Sequence, residues 1–349
     1  MPPHPHRPQQ LAWQVFRGSD AVRRGLLSRH HLRGASWVRL RQDVYADARL
    51  DRDHALACRA VLLRMPPGTL IAGPSAAYLH GVEHAADFSD DVHVLLPATV
   101  RADSQPGVRV HHAPLADTPR GLLVPANAAT PGGRPPPVSV GPSHVATLTR
   151  APGPSRPVCA TGAASPPGPA RPHGPPPRTG PAECAWETAV WVDPVKAVSV
   201  IDGLLRLGAV SRSGLASEAA RNAGRPGGRR ASWVFGLTDG CAQSPPESHL
   251  RVRLVFAGLP RPVAQHPVRV STGLVLHPDL AWPEFRVAVE YDAQSPADPD
   301  RMHLDRRRLN QFVEAGWLVL HVTGRRLRQE FPALVREIRA ALVARGWRP

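Results

Sequence analysis

Cysteine is scarce in this chain, and its spacing excludes the two structural uses that cysteine most often has. The four residues, Cys58, Cys159, Cys184 and Cys241, are widely separated and form no C-x-x-C pair. The sequence therefore predicts neither a zinc site nor a disulfide framework.

Long hydrophobic runs are also missing. The first residues, MPPHPHRPQQLAWQVF, lack the apolar stretch of a secretory signal, and no later segment approaches the roughly 20 apolar residues that cross a bilayer. We expect a soluble, cytoplasmic protein without a membrane partner.

Lysine is nearly absent, because Lys196 is the one lysine and arginine carries the rest of the positive charge. The 43 Lys and Arg residues exceed the 28 Asp and Glu residues, which gives a formal net charge of +15. Such an excess favours a polyanionic partner and opposes an acidic one, so DNA is the predicted partner. The arginines are accompanied by 41 prolines and 29 glycines. Coding bias from a GC-rich genome would give the same composition, so the charge excess alone does not establish DNA binding.

The length of 349 residues and the 42% hydrophobic content suffice for two folded units. Between residues 119 and 181, Pro, Gly, Ala, Ser and Arg dominate without periodicity, which predicts a disordered linker. The hydrophobic pattern predicts a middle α/β segment over residues 51–118 and a helical segment over residues 182–243. The predicted class is α/β (α+β).

Residues 1–50 show the outline of a winged helix-turn-helix. Ser19 precedes an apolar-periodic run, and Ser28 opens a second short helix, RHHLR, which stops at Gly34. The alternating segment SWVRLRQDVYADA breaks at Asp43, which is typical of a small β-wing.

Residues 244–349 predict the element order αβββαβα. The helices are expected at Pro246 to Phe256, Asp300 to Ala315 and Phe331 to Ala344, and the strands at Arg261 to Val270, Leu274 to Ala281, Arg286 to Asp292 and Trp317 to Val322. In the last helix, Phe331, Leu334, Val335, Ile338 and Leu342 form one stripe, which predicts that this face packs on the sheet.

Acidic residues converge on these strands. In the strand RVAVEYD, alternation puts Glu290 and Asp292 on one face, and the preceding hairpin strand brings Asp279 beside Glu290. Carboxylates this close are costly unless a hard cation neutralises them or one of them stays protonated. We expect a Mg²⁺ ion on Asp279 and Glu290 that serves phosphodiester hydrolysis. Glu247 on the first helix could add a carboxylate, and Gln265 could orient substrate or water.

A plainer interpretation remains open for the same residues. Asp279 could simply end a strand, Glu290 and Asp292 could face solvent, and Glu247 could be a surface residue that the helix dipole favours.

The segments SPPESHLRVRLVFAGLPRPVAQHPV, LHPDLAWPEFRVAVEYDA and DRRRLNQFVEAGWLVLHVT resemble the domain family related to very-short-patch-repair endonucleases, in the PD-(D/E)XK nuclease superfamily. The resemblance covers the chain from about Ser244 onward and implies a restriction-endonuclease-like fold. It implies that Asp279 and Glu290 bind metal, that Glu247 is the helix acid, and that Gln265 is the polar residue of the first strand. Asp292 takes the place where many members of the superfamily have lysine.

Two features bear on whether this domain is an active endonuclease. The family commonly continues E-Y-D-G and then has a histidine, whereas this chain has Ala293 followed by QSPADPD. His277 and His303 are close enough in sequence to substitute for that histidine. Asp305 and Arg308 match the family's D-x-x-R pattern, which we interpret as an ion pair that ties the helix to the sheet, with phosphate contact by Arg308 as the second interpretation.

The segment SDAVRRGLLSRHHLRGASWVRLRQDVYA resembles the N-terminal winged-helix domain of AbiEi-type antitoxins of type IV toxin–antitoxin systems. The resemblance implies a DNA-binding unit and a possible cognate toxin as partner. It implies that the RHHLR helix faces the major groove and that four arginines contact phosphates or base edges, namely Arg29, Arg33, Arg39 and Arg41. A structural helix pair with solvated arginines is the alternative.

Three functions therefore stand as hypotheses. The first is a Mg²⁺-dependent, DNA-directed nuclease. The second is a non-catalytic DNA-binding regulator or antitoxin that keeps the nuclease fold, which Ala293 and the missing histidine favour. The third is a protein-binding module, which predicts no DNA affinity despite the charge.

Overall fold

The computed structural model describes residues 6–113, 174–292 and 299–349, and gives only the backbone of residues 113 and 299–305. The described elements belong to one compact unit. They mix helices with small sheets, which confirms the α+β class. Most of the predicted linker and Ala293 lie outside the described residues, as do the side chains of His303 and Asp305.

The N-terminal part is a three-stranded antiparallel sheet with one short helix. Its elements are β1 (Val15–Arg17), α1 (Gly18–Arg23), β2 (Trp37–Arg41) and β3 (Val44–Asp47), and the strand order is β1-β3-β2. Asp43 turns the β2–β3 hairpin with a φ of 60°. Phe16 and Trp37 pack edge to face in the small core at a centroid distance of 5.1 Å.

The predicted RHHLR helix is wrong in type and length. The chain makes a single 3-10 turn at His31–Arg33, where Ser28 Oγ accepts a hydrogen bond from the His31 amide at 3.1 Å. No residue of the turn is buried, so no apolar face stabilises a longer helix. A three-residue turn is too short to lie along a major groove as a recognition helix.

The middle part carries β4 to β6 with two helices. Its elements are α2 (His54–Leu62), β4 (Leu70–Ile71), α3 (Gly73–Leu79), β5 (Val92–Pro97) and β6 (Val108–Ala113). Strand β5 pairs antiparallel with β4 and parallel with β6. Alternate residues of β5 are buried, so only one face of this sheet joins the core.

The following helices complete the same core. They are α4 (Pro181–Trp191), α5 (Pro194–Arg206), α6 (Arg212–Arg221) and α7 (Gly228–Leu237). Val94 of β5 lies in one hydrophobic cluster with Ile201 of α5 and Val234 of α7. The segments over residues 51–118 and 182–243 thus share their apolar interior.

The predicted end of the linker at residue 181 needs correction. The chain is already paired before α4, because the Ile71 amide donates to the Pro177 carbonyl and the Thr179 amide donates to the Ile71 carbonyl, both at 2.9 Å. The backbone of β4 supplies these hydrogen bonds, which composition alone does not reveal.

The C-terminal part is a four-stranded sheet between helices. Its elements are α8 (Pro245–Phe256), β7 (Val263–Ala264), β8 (Val268–Arg269), β9 (Val275–Leu276), β10 (Leu280–Trp282), β11 (Val287–Asp292), α9 (Pro299–Glu314), β12 (Leu318–Thr323), α10 (Gly324–Gln329) and α11 (Phe331–Ala344). The strand order is β12-β11-β10-β7, with β11 and β12 parallel.

Both faces of this sheet are covered. Val287 and Val289 belong to a cluster with residues of α8 and α11, whereas Ala288 belongs to a cluster with Phe312 of α9. The predicted stripe of the last helix is confirmed, since Leu334, Ile338 and Leu342 are completely buried. The first two predicted strands each break into two, and β8 and β9 form a separate small sheet.

Candidate functional site: an acidic cluster at the end of the sheet

A single amide links two of the predicted acids. Gln265 Nε2 lies 3.1 Å from Asp279 Oδ1 and 3.4 Å from Glu247 Oε2. Gln265 follows β7 with a φ of 52°, a left-handed conformation that costs free energy in a residue other than glycine. Its backbone carbonyl is held by His277 Nδ1 at 3.0 Å. The strained backbone of this turn therefore places the side-chain amide of Gln265 between Glu247 and Asp279.

Glu247 lies in the first turn of α8 and is only 6% exposed. One carboxylate oxygen accepts a hydrogen bond from the backbone N–H of Gln243 at 2.9 Å, and the other accepts from Ser244 Oγ at 2.7 Å. Burial raises the pKa of the Glu247 carboxyl, and the nearby Asp279 carboxylate raises it further. The plainer expectation of a solvated surface glutamate does not hold.

Asp279 precedes β10 and contacts the neighbouring strand. Its Oδ2 accepts a hydrogen bond from the Tyr291 amide at 2.7 Å. The β10–β11 register pairs Leu280 with Val289, so its continuation by one residue sets Asp279 opposite Glu290. Burial raises the pKa of the Asp279 carboxyl, although the hydrogen bonds from Tyr291 and Gln265 oppose the shift.

Glu290 shares the face of β11 that α9 covers. Arg308 of α9 donates to Glu290 Oε1 from Nη2 at 3.0 Å and from Nε at 3.3 Å, and Arg308 Nη2 also donates to the His277 carbonyl at 2.7 Å. Burial raises the pKa of the Glu290 carboxyl, the Arg308 cation lowers it, and Asp279 raises it. Arg308 thus forms a half-buried ion pair that ties α9 to the sheet, as the first interpretation expected.

Asp292 lies at the more exposed edge of the cluster. Its Oδ2 is 3.2 Å from Nδ1 of His321 on β12, and both side chains are partly exposed. His321 was missed in the sequence. Its signal was a histidine within the apolar strand WLVLHVT, but only the parallel register, which pairs Glu290 with His321, shows that it reaches the acids.

The structure therefore brings Glu247, Gln265, Asp279 and Glu290 into one network and places the Asp292–His321 pair beside it. Among the described residues, no group of three or more His, Cys, Asp or Glu side chains could hold a metal ion by itself. A divalent cation at this cluster would thus need further oxygens from water or from substrate.

The four predicted DNA-contacting arginines differ in their surroundings. Arg29, Arg33 and Arg39 are exposed. Arg41 is half-buried, and its Nη1 and Nη2 donate to the carbonyls of Pro106 and Gly107 at 3.2 and 2.7 Å. Arg41 fixes the hairpin to the loop before β6, so its guanidinium is engaged inside the protein.

No helix in the part of the chain that the structure describes is long and apolar enough to cross a membrane.

Comparison with known proteins yields two relatives and no function. The chain is 32% identical over 153 residues to uncharacterised proteins from two strains of Mycobacterium tuberculosis, and the match covers 44% of this chain and 56% of each relative. The chain thus spans little more than half the length of these relatives. No family profile matches the chain, and no solved structure matches it.

Proposed function

We propose that this protein binds DNA and hydrolyses phosphodiester bonds at the acidic cluster with the help of a divalent cation held by Asp279 and Glu290. The observation that carries the proposal is the Gln265 amide, which joins Glu247 and Asp279 while Asp279 adjoins Glu290. Burial raises the pKa of all three carboxyls, and the Asp279 carboxylate raises the pKa of Glu247 and of Glu290 further, so an added positive charge would stabilise this site.

The donor set fits magnesium. Mg²⁺ in phosphoryl-transfer sites is usually held by one or two carboxylates and completes its shell with waters and substrate oxygens. Asp279, just before β10, and Glu290 of β11 supply two carboxylates, and the two donors of Arg308 both contact Glu290 Oε1 and not Oε2. A bound Mg²⁺ ion would supply Lewis-acid charge to a scissile phosphate.

The protein's own residues have separable roles in this proposal. Asp279 and Glu290 bind the cation, and Gln265 orients Asp279 while it holds Glu247 in place. The Arg308 cation lies beside Glu290 and can contact a phosphate oxygen when substrate draws it away. His321, with Nδ1 fixed by Asp292, keeps Nε2 for a proton of the attacking water or of the leaving oxygen.

The test is plasmid nicking by the full chain in Mg²⁺. Asp279→Asn and Glu290→Gln keep the side-chain volume but remove the ligand charge, so each should lower the nicking rate by about a hundredfold or more. Glu284→Gln, which changes an exposed carboxyl in the turn between β10 and β11, is the matched control and should nick like the parent. Equal nicking by all four proteins would refute the assignment.

A second function is favoured by the Arg308 contact. The two donors of Arg308 already supply positive charge to Glu290, so the acids can be stable without a metal ion. We propose as the alternative a non-catalytic, DNA-binding regulator or antitoxin that retains the nuclease-like domain as a scaffold. Calorimetric titration of the full chain with Mg²⁺ separates the two, because a regulator would give the same trace as its Asp279→Asn variant and would bind DNA without cleaving it.

A further inference from the structure

A polar cavity in the middle part of the chain shares no residue with the acidic cluster. It has a volume of about 480 Å³ and lies on the face of β5 and β6 that is turned away from the core. Its walls include Pro74 at the start of α3 and Trp191 at the end of α4. The volume falls within the range of roughly 300–1,000 Å³ that is typical of small-molecule sites.

Two histidines and a tryptophan form one wall. His93 of β5 and His111 of β6 lie on the outer face, and the ring of Trp191 stacks on His111 with a centroid distance of 3.5 Å and an interplanar angle of 5°. Gly73 permits this arrangement, since a Cβ at that position would lie 2.9 Å from the Trp191 ring. The wall is therefore flat, aromatic and closely fitted to the backbone.

The histidine pair supplies hydrogen-bonding groups of both kinds. His93 Nδ1 and His111 Nε2 are 3.1 Å apart, so one of the two nitrogens donates a hydrogen bond to the other. Burial lowers the pKa of His93 to about 4 and that of His111 to about 3, so both rings are neutral at neutral pH. Each neutral imidazole has one N–H, so the two remaining nitrogens must be one donor and one acceptor. Neither of them has a protein partner among the described residues.

The rim of the cavity carries two cations in weak ion pairs. Lys196 Nζ is 3.5 Å from Asp90, and Arg109 Nε is 2.7 Å from Asp91. The Lys196 and Arg109 side chains are 44% and 62% exposed, and exposed ion pairs contribute only about 0–1 kcal/mol. Both cations can therefore turn to an anionic group at little cost.

We propose that this cavity binds a nucleotide, with the base against the wall of His93, His111 and Trp191 and the phosphate between Lys196 and Arg109. A nucleobase combines a flat face with hydrogen-bond donors and acceptors, which is the chemistry of this wall. The proposal is independent of phosphodiester hydrolysis at the acidic cluster, because no residue is common to both.

Lys196 allows a direct test, because it is the single lysine of the chain. Reductive ¹³C-methylation keeps its charge and gives one lysine methyl signal in the NMR spectrum. Titration with AMP or GMP should shift this signal saturably, whereas inorganic phosphate alone should shift it only weakly. The proposal fails if none of the four nucleoside monophosphates gives a saturable shift, or if phosphate alone binds as tightly as they do. A short 5′-phosphorylated single strand is titrated in parallel. If it binds more tightly than the mononucleotides, the ligand is a strand end; if it binds more weakly, the ligand is a free nucleotide.

Paired variants test the wall. His111→Ala should weaken nucleotide binding by roughly tenfold, whereas His112→Ala, which changes the next and more exposed residue of β6, should bind like the parent. Thermal unfolding checks that both variants are folded. Should His111→Ala not fold, Arg109→Gln at the exposed rim provides the second measurement, and unchanged nucleotide affinity in that variant would overturn the proposal.

Discussion

Arg251 and Asp202 form an ion pair that is almost completely removed from water. The two side chains are 1% and 2% exposed, and Arg251 Nη2 lies 2.7 Å from Asp202 Oδ2. Asp202 also accepts hydrogen bonds from Ser248 Oγ and from the Asp239 amide. The pair joins α5 to α8, so it connects the helical part to the helix that carries Glu247.

Removal of one partner should be strongly destabilising. Arg251→Ala leaves the Asp202 carboxylate buried without its cation, and we expect a loss of about 3–5 kcal/mol in the free energy of unfolding measured with urea. Arg325→Ala is the control, because Arg325 forms an exposed pair with Glu330, and it should cost no more than about 1 kcal/mol. Equal effects in the two variants would contradict this account.

Glu187 provides a pH-dependent contribution to stability. It is buried on α4 and accepts hydrogen bonds from the Gly73 amide at 2.7 Å and from Thr179 Oγ1 at 2.9 Å. Burial raises the pKa of its carboxyl from 4.5 to about 8. The folded state therefore binds a proton that the unfolded state has released, over the interval between these two values.

The sign of this effect follows from proton linkage. A raised carboxyl pKa gives stability that is fully present below the unfolded pKa and is lost as the pH rises through the folded pKa. We expect the contribution of Glu187 to the free energy of unfolding to fall between about pH 4.5 and about pH 8. Glu187→Gln should flatten this slope and be the more stable protein at the upper end of the interval. Urea unfolding across that range measures it, and an unchanged slope in the variant would show that Glu187 titrates normally.

At the scale of single elements, the N-cap of α5 is a point where sequence and structure agree. Asp193 and Pro194 predict a helix start, and Asp193 Oδ1 accepts hydrogen bonds from the amides of Val195 at 2.9 Å and Lys196 at 3.4 Å. These bonds satisfy amides that have no partner within the helix.

Asp193→Ala should therefore lower the free energy of unfolding by about 1 kcal/mol, whereas Asp193→Ser should restore most of the loss, because serine can cap a helix in the same way. Thermal or urea unfolding of the two variants is the measurement. A loss of similar size in Asp193→Ser would mean that the cap is not the cause.

The sequence predicts elements well where one apolar period runs without interruption. The last helix was predicted at its observed bounds, Phe331–Ala344, and β11 differs from its predicted range by one residue. The first predicted strand of the C-terminal part breaks because Gln265 adopts a positive φ and His266–Pro267 follow it. The sequence around Gln265 is typical of a β-strand, so it does not indicate that tertiary contacts hold this residue in the left-handed region.

Pairing between distant side chains was harder to predict than the acids themselves. Alternation along β11 suffices to group Glu290 with Asp292, and the hairpin suffices to add Asp279. The contacts of Arg308 with Glu290 and of His321 with Asp292 depend on how α9 and β12 pack against β11, which no local pattern specifies. In the N-terminal part, the charge of Arg41 was visible, but its engagement with the carbonyls of Pro106 and Gly107 was not.

At the scale of the whole molecule, the net charge of +15 predicts salt-dependent attraction to DNA. Net charge alone does not locate the contact, since arginine is distributed along the entire chain. The exposed side chains of Arg29, Arg33 and Arg39 lie on or beside the small N-terminal sheet and are the proposed contacts.

The salt dependence of binding tests this location. Each phosphate contact contributes roughly 0.9 to the slope of the logarithm of the binding constant against the logarithm of salt concentration. Combined substitution of Arg29, Arg33 and Arg39 by alanine should therefore flatten the slope by up to about three such contributions, measured by fluorescence anisotropy with a labelled duplex. The control is the combined substitution of Arg325, Arg328 and Arg336 by alanine. These arginines are also exposed, and their substitution removes the same charge from the C-terminal part of the chain. Equal flattening in the two triple variants would mean that overall charge attracts DNA without a localised N-terminal contact. With a localised contact, loss of the three N-terminal arginines should flatten the salt slope more than loss of three arginines elsewhere.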